Sequence, residues 1–237
     1  MRALVLAGDI TVGEHPRFSL LGLGMNQDTV ISTVVAGAIL IGLGLIMRAQ
    51  ISDGVPGKLQ LVFESLVSYI EDLVEESFGI KVAPFVVPLA VTLFAFILVA
   101  NWVEVVPTQE KLISPTSDIN LTAGLAVFVL AWVHVTGIRK KGVLGYAKSF
   151  TGAPRWLIPF RGLEEIAKPL SLALRLFGNL FAGGLMIQLI ALFPSFLLWA
   201  PTVVWKLFDM FIGLIQALIF SLLTIVYFSF AVSEEGH

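Results

Sequence analysis

Five stretches of this chain stay apolar for about twenty residues or more, the length a helix needs to cross the hydrocarbon of a bilayer. That feature leaves little choice of fold. Lipid offers no hydrogen bonds, so a spanning backbone must satisfy its own, as an α-helix does. The stretches are 29–47, stopped by Arg48; 84–106, from Pro84 to Pro107; 119–138, stopped by Arg139, Lys140 and Lys141; 163–193, ended at Pro194; and 201–232, from Pro201 to Ser233, Glu234 and Glu235. Proline suits the first turn of a helix and the position just past its end, where its missing N–H costs nothing. Only 14% of the residues are charged, against about 25% in soluble domains, and the mean hydropathy is +0.92. The expected fold is an all-α polytopic membrane protein. Residues 29–237 form a single membrane domain, and residues 1–28 form a polar extracytoplasmic tail. MRALVLAG makes a poor signal peptide, because its apolar run is short and Asp9, Glu14, His15 and Arg17 follow.

The last two spans exceed what a bilayer needs, so they must tilt or project beyond it. Their linker of about seven residues predicts an antiparallel hairpin. Basic residues crowd the loop 139–168, with Arg139, Lys140, Lys141, Lys148, Arg155, Arg161 and Lys168, and recur after the first span as Arg48, Lys58 and Lys81. By the excess of Lys and Arg on the cytoplasmic side, the N-terminus is outside and the C-terminus cytoplasmic. Residues 57–78 read differently. Leu59, Val62, Phe63, Leu66, Ile70, Leu73 and Val74 recur at helical spacing, with Glu64, Ser68, Glu71, Asp72, Glu75 and Glu76 largely opposite. This is an amphipathic helix on the cytoplasmic side. It lies either on the membrane surface or, since its polar face is acidic and repels anionic headgroups, against protein.

Within the spans, the polar residues fall on shared faces. SLALRLFGNLFAGG (171–184) carries Arg175 mid-membrane, at a cost of about 2.5–3.5 kcal/mol on insertion scales. Ser171, Arg175 and Asn179 follow at i, i+4 and i+8 on one face, with Glu164, Glu165 and Lys168 at the cytoplasmic end. In the last span Lys206, Asp209, Gly213, Gln216 and Phe220 share a face, and Asn101 and Glu104 share one at the outer end of the second. Pairing the last two spans about residue 197 sets Gln216 opposite Asn179, and Asp209 opposite Gly184, which leaves it room. Asn101, Glu104, Asn179, Asp209 and Gln216 then form a polar route from outside to mid-membrane. Ser171, Glu164 and Glu165 form a second from the cytoplasm, and Arg175 stands between them. Two half-routes meeting at a fixed positive charge suit an ion that changes carrier at the midplane.

Each residue also has a plainer reading. Asp209 can pair with Lys206 or, less easily given their depths, with Arg175. Asn179 and Gln216 can serve as hydrogen-bond glue between helices, and Glu104 can be solvated. His134 reads as interfacial, and Trp102, Trp132, Trp156, Trp199 and Trp205 as belt residues. Neither a GxxxxGK[ST] phosphate loop nor a GxSxG elbow occurs. There is no cysteine, the three histidines lack metal-ligand spacing, and the net charge of −2 gives no reason to expect nucleic acid. No metal or cofactor is expected, and the chain shows no catalytic site of its own. An independent ion channel or secondary transporter is the rival reading, against which there is no internal repeat and no matched pair of broken helices. A passive membrane anchor leaves Arg175 without a purpose.

AKPLSLALRLFGNLFAGG, IQALIFSLLTIVYFSFAVSEE, SPTSDINLT and NWVEVVP together resemble subunit a of F-type ATP synthases, from the first span to near the end of the chain. GEH near the start, AGG after LFGN, and WKLFDMFIGLIQALIF are most similar to its actinobacterial branch. The resemblance implies a proton-translocating stator subunit whose partners are a ring of c subunits, the b subunits of the peripheral stalk and the rest of the complex. It implies that Arg175 faces a mid-membrane carboxylate on the ring, that Asn179 and Gln216 are the family's polar pair, and that Asn101 and Glu104 stand for its NxxD pair. Many members carry a glutamate where this chain has Gly184 and a histidine where it has Asp209. By depth these two departures are one event, the titratable group having moved to the facing helix. Either Asp209 or Glu104 then hands the proton to the ring.

Overall fold

A computed structural model of the chain describes residues 17–20, 23–51, 56–103, 115, 118–151, 186, 190, 194 and 198–232. Apart from one short strand pair and brief connecting segments, these residues are helical. Among the described residues, four helices are long and apolar enough to cross a membrane: α1 (Gln27–Gln50), α3 (Val86–Val103), the stretch Leu121–Tyr146 within α4 (Ile119–Thr151), and α5 (Trp199–Val232). All of the expected span 163–193 except residues 186 and 190, and with it the hairpin formed with the last span, lies outside the described residues.

The expected tail contains more order than its polarity suggested. Strands β1 (Arg17–Leu20) and β2 (Leu23–Asn26) pair antiparallel, Arg17 opposite Asn26, and lead directly into α1. The first helix also runs to Gln50 rather than stopping at Arg48. A basic residue ends the apolar run without ending the backbone ladder, because Arg favours helix and can extend into water.

The amphipathic helix α2 (Lys58–Ser77) forms where its periodicity put it. It ends at Gly79, whose φ of 81° is a left-handed conformation that glycine alone adopts at no steric cost. The Gly79 N–H bonds back to the Val74 and Glu75 carbonyls, and the Ile80 N–H donates to Glu75 Oε2 at 2.7 Å. A single 3-10 turn (Ile80–Val82) then leads into α3. Ile70 and Val74 are buried in the main core, and Phe63, Leu66 and Leu73 pack against it, so α2 rests on protein. Leu59 and Val62, expected on the same face, stay exposed.

α4 stays helical past 138, where the span was expected to end, until Gly142 breaks it with φ 71° and ψ 163°. The chain turns there, one residue beyond the basic run, and folds back. Tyr146 packs edge-on against His134 with ring centroids 6.0 Å apart, whereas twelve residues of straight helix would span about 18 Å. Tyr146 also covers Gly137, where any side chain would collide with its ring. His134 is half-buried, with its Nδ1 2.8 Å from the Leu130 carbonyl oxygen.

Among the four described membrane helices, three run one way and α3 the other. At one end, Asp118 just before α4 accepts hydrogen bonds from Asn26 Nδ2 (2.8 Å) and Thr29 Oγ1 (2.7 Å) at the start of α1. Ala36 of α1 packs with Ala100 and Val103 near the end of α3. At the other end, Phe85 stacks on Trp132 of α4 (5.8 Å) and meets Phe228 of α5 edge-on (5.4 Å). So α1, α4 and α5 start at the Asp118 end, and α3 runs against all three. The core lies along α3 and α5, from Val86, Ala90 and Phe94 to Ala217, Ile225 and Phe228.

Candidate functional site

Of the residues expected to form the outer polar route, Asn101, Asp209 and Gln216 lie within the described structure, and the α3–α5 pairing brings them together. Asn101 belongs to the last turn of α3 and is half-buried. Its Nδ2 donates to the Gly213 carbonyl oxygen at 3.1 Å, joining residues 112 apart in sequence. Gly213 makes this approach possible, since a Cβ there would lie 2.8 Å from the Cβ of Asn101. The neighbouring Trp102 donates its indole Nε1–H to the Met210 carbonyl oxygen at 3.2 Å.

On α5 the predicted face holds. Lys206 and Asp209 are half-buried, Gly213 and Phe220 are buried, and Gln216 is 3% exposed. Asp209 precedes Gly213 by one turn and Gln216 follows it by nearly one, about 6 and 4.5 Å along the axis. Asn101 therefore contacts α5 between the other two. Beyond Gln216 the contact turns apolar, relieved by the Ser221 hydroxyl, which donates to the Ala90 carbonyl oxygen at 3.0 Å, and by the Thr224 hydroxyl, which bonds back to Phe220. Polar groups thus gather at the Asp118 end of the α3–α5 pair and thin out toward Phe85. Such an arrangement can guide water and protons part of the way through an apolar bundle.

Glu104, Glu164, Glu165, Ser171, Arg175 and Asn179 lie outside the described residues. Three contacts escaped the sequence reading. Asp118, in the SPTSDINLT motif, receives Asn26 and Thr29. Trp102, read as a belt residue, bonds to a facing helix. Ser221 bonds across the core.

Comparison with known proteins gives a consistent result. The model of the family described as ATP synthase A chain matches residues 30–229. The chain is 47% identical over 235 residues to ATP synthase subunit a of Acidothermus cellulolyticus, covering 98% of this chain and 87% of that one. It is 48% identical over 249 aligned positions to ATP synthase subunit a of Mycobacterium tuberculosis, with both chains fully covered. It is 36% identical to that of Halorhodospira halophila, covering 89% of this chain and 86% of the other. With a match running through all four described membrane helices and relatives aligned nearly end to end, the chain belongs to the ATP synthase A chain family.

Proposed function

We propose that this chain is the stator subunit of the proton channel in an F-type ATP synthase, embedded in a bacterial plasma membrane with its N-terminus outside and its C-terminus in the cytoplasm. It offers two offset half-channels to a rotating ring of c subunits, and it is held to the rest of the complex through the b subunits of the peripheral stalk. The observation that carries the reading is the hydrogen bond from Asn101 to the Gly213 carbonyl, which gathers Asn101, Asp209 and Gln216 along one helix pair, in a chain of this family.

The direction of the helices supports a fifth span. α4 and α5 both start at the Asp118 end, which is the arrangement that one further crossing between them would produce. A crossing by the apolar residues 163–193 fits, and it would carry Arg175 into the membrane.

In this mechanism a proton from outside passes Glu104 and Asp209, with water near Asn101, Asn179 and Gln216, and neutralises a ring carboxylate. The neutral acid can then turn into lipid, where an uncompensated carboxylate is too costly to bury. After nearly a full revolution it meets the cytoplasmic route of Ser171, Glu164 and Glu165 and gives up its proton. Arg175 attracts the ionised group, and its permanent charge keeps protons from passing directly between the two routes. Each proton crossing the membrane gains about 2.3 kcal/mol per 100 mV, so several are combined for each ATP.

The test is Arg175→Ala. The complex should assemble while proton-driven ATP synthesis is abolished, and vesicles of this variant that still made ATP at near-normal rates would overturn the reading. Reconstitution of the chain alone separates the rival class, because a channel conducts and a transporter exchanges solute, whereas a stator subunit does neither.

A further inference from the structure

Two consecutive side chains of α3 reach two carbonyls of α5 that lie three residues apart. Asn101 donates to Gly213 O and Trp102 to Met210 O. Neighbouring residues on a helix point about 100° apart, so the two donors grip α5 from different sides. Their acceptors are separated by about 4.5 Å along the α5 axis. Within α5 each of these carbonyls also lies in the helical ladder, and a carbonyl oxygen has a second lone pair for such a bond. The contacts therefore add little to backbone satisfaction and much to geometry. A slip of α5 by one residue, or a rotation by one position, breaks both at once.

Two further observations support this. Gly213 leaves no room for adjustment, because even a methyl group would fall 2.8 Å from the Cβ of Asn101. Trp102 is 40% exposed, so its indole N–H is close to the surface of the chain yet bonds to a backbone carbonyl of the facing helix. A tryptophan serving only as an interfacial anchor needs no such acceptor.

We propose that Trp102, with Asn101 and Gly213, clamps the rotation and depth of α5 and so aims Asp209 and Gln216, one turn to either side, at the proton path. Trp102 is a positioning residue that acts through α5. The assignment rests on the proposed route through Asp209, and the test separates the two.

The chain has no cysteine, so a single introduced one is a clean probe. The intact ATP synthase in membrane vesicles carries Trp102→Phe, which keeps a ring and removes the donor, or Gly213→Ala, which pushes Asn101 away. Two quantities are read, each per assembled subunit. One is proton-driven ATP synthesis. The other, in parallel chains that also carry Asp209→Cys, is the rate of labelling by a membrane-impermeant maleimide. Trp102→Phe should lower synthesis about fivefold, the factor that corresponds to one hydrogen bond, and slow labelling at position 209. Gly213→Ala should do the same or more. Synthesis within about twofold of the parent together with unchanged labelling in Trp102→Phe would leave Trp102 a belt residue and overturn the clamp. If Asp209→Cys resists labelling even with Trp102 present, the route through Asp209 fails. The clamp then stands or falls on the synthesis of Trp102→Phe alone.

Discussion

The two halves of α5 meet α3 in different ways. From Ala217 to Val232 the contact is made by shape: Ala217, Phe220, Ile225 and Phe228 are buried, and Phe228 is closed in by the edge of Phe85. From Trp199 to Gln216 it is made by two donors and a glycine. Lys206 and Asp209 lie on the partly covered face, and Val203, Val204, Leu207, Phe208 and Phe211 are exposed. Without water between helices, association relies on packing and on interhelical hydrogen bonds; packing dominates the second half, where Ser221 adds one bond to Ala90, and hydrogen bonds dominate the first. Under the proposed mechanism this difference matters. A tightly interdigitated contact leaves no space for water or a moving proton. A contact fixed at two points holds the helix still and keeps its polar face open.

The sharpest way to break this comparison is to damage the packed half. Phe228→Ala removes a ring that is 0% exposed. The expected loss is about 3 kcal/mol, at the lower end for such truncations because lipid solvates the separated helices well. It should appear as less of this subunit retained in purified complex, with the enzyme that remains still coupled. Normal retention would mean that the packed half does not carry the fold.

A smaller effect of another kind is expected in the polar half. Asp209→Asn keeps the volume and removes the titratable group, so retention should match the parent while proton-driven synthesis slows about tenfold, or 1.4 kcal/mol. Unchanged synthesis would remove Asp209 from the path. Lost retention would mean that its carboxylate is structural, paired with Lys206, and the two halves would then differ less than their contacts suggest.

Much of the packed half was legible in the sequence, because lipid reduces secondary structure to one decision per apolar run. Period and length gave α1, α2, α3 and α5 within a few residues. Less legible were features set by one residue in its surroundings. Arg139, Lys140 and Lys141 signal the end of a span, but Gly142 decides how the chain turns, and Tyr146 returning over Gly137 follows from that turn. A four-residue strand pair beside a polar tail has too little pattern to be read. In the polar half, the shared face of Asp209, Gly213 and Gln216 was visible as spacing. That Trp102 donates to Met210 was not, since a tryptophan near a helix end has the same sequence signature whether it faces headgroups or a neighbouring carbonyl.

The smallest effect tests whether polarity at the Asp118 end is always put to use. Ser32 lies one turn inside Thr29 on the face of α1 that also carries Ala36. It is 0% exposed, and its hydroxyl has no hydrogen-bond partner among the described residues. Thr29, one turn away, spends its hydroxyl on Asp118. An orphaned buried hydroxyl is a cost with no return, so Ser32→Ala should be neutral or should stabilise the subunit by up to about 1 kcal/mol, with proton-driven synthesis unchanged. A loss of synthesis at normal retention would reverse the conclusion. The hydroxyl would then be holding a water, and the proposed proton path would gain a wet wall on α1 in addition to the α3–α5 pair.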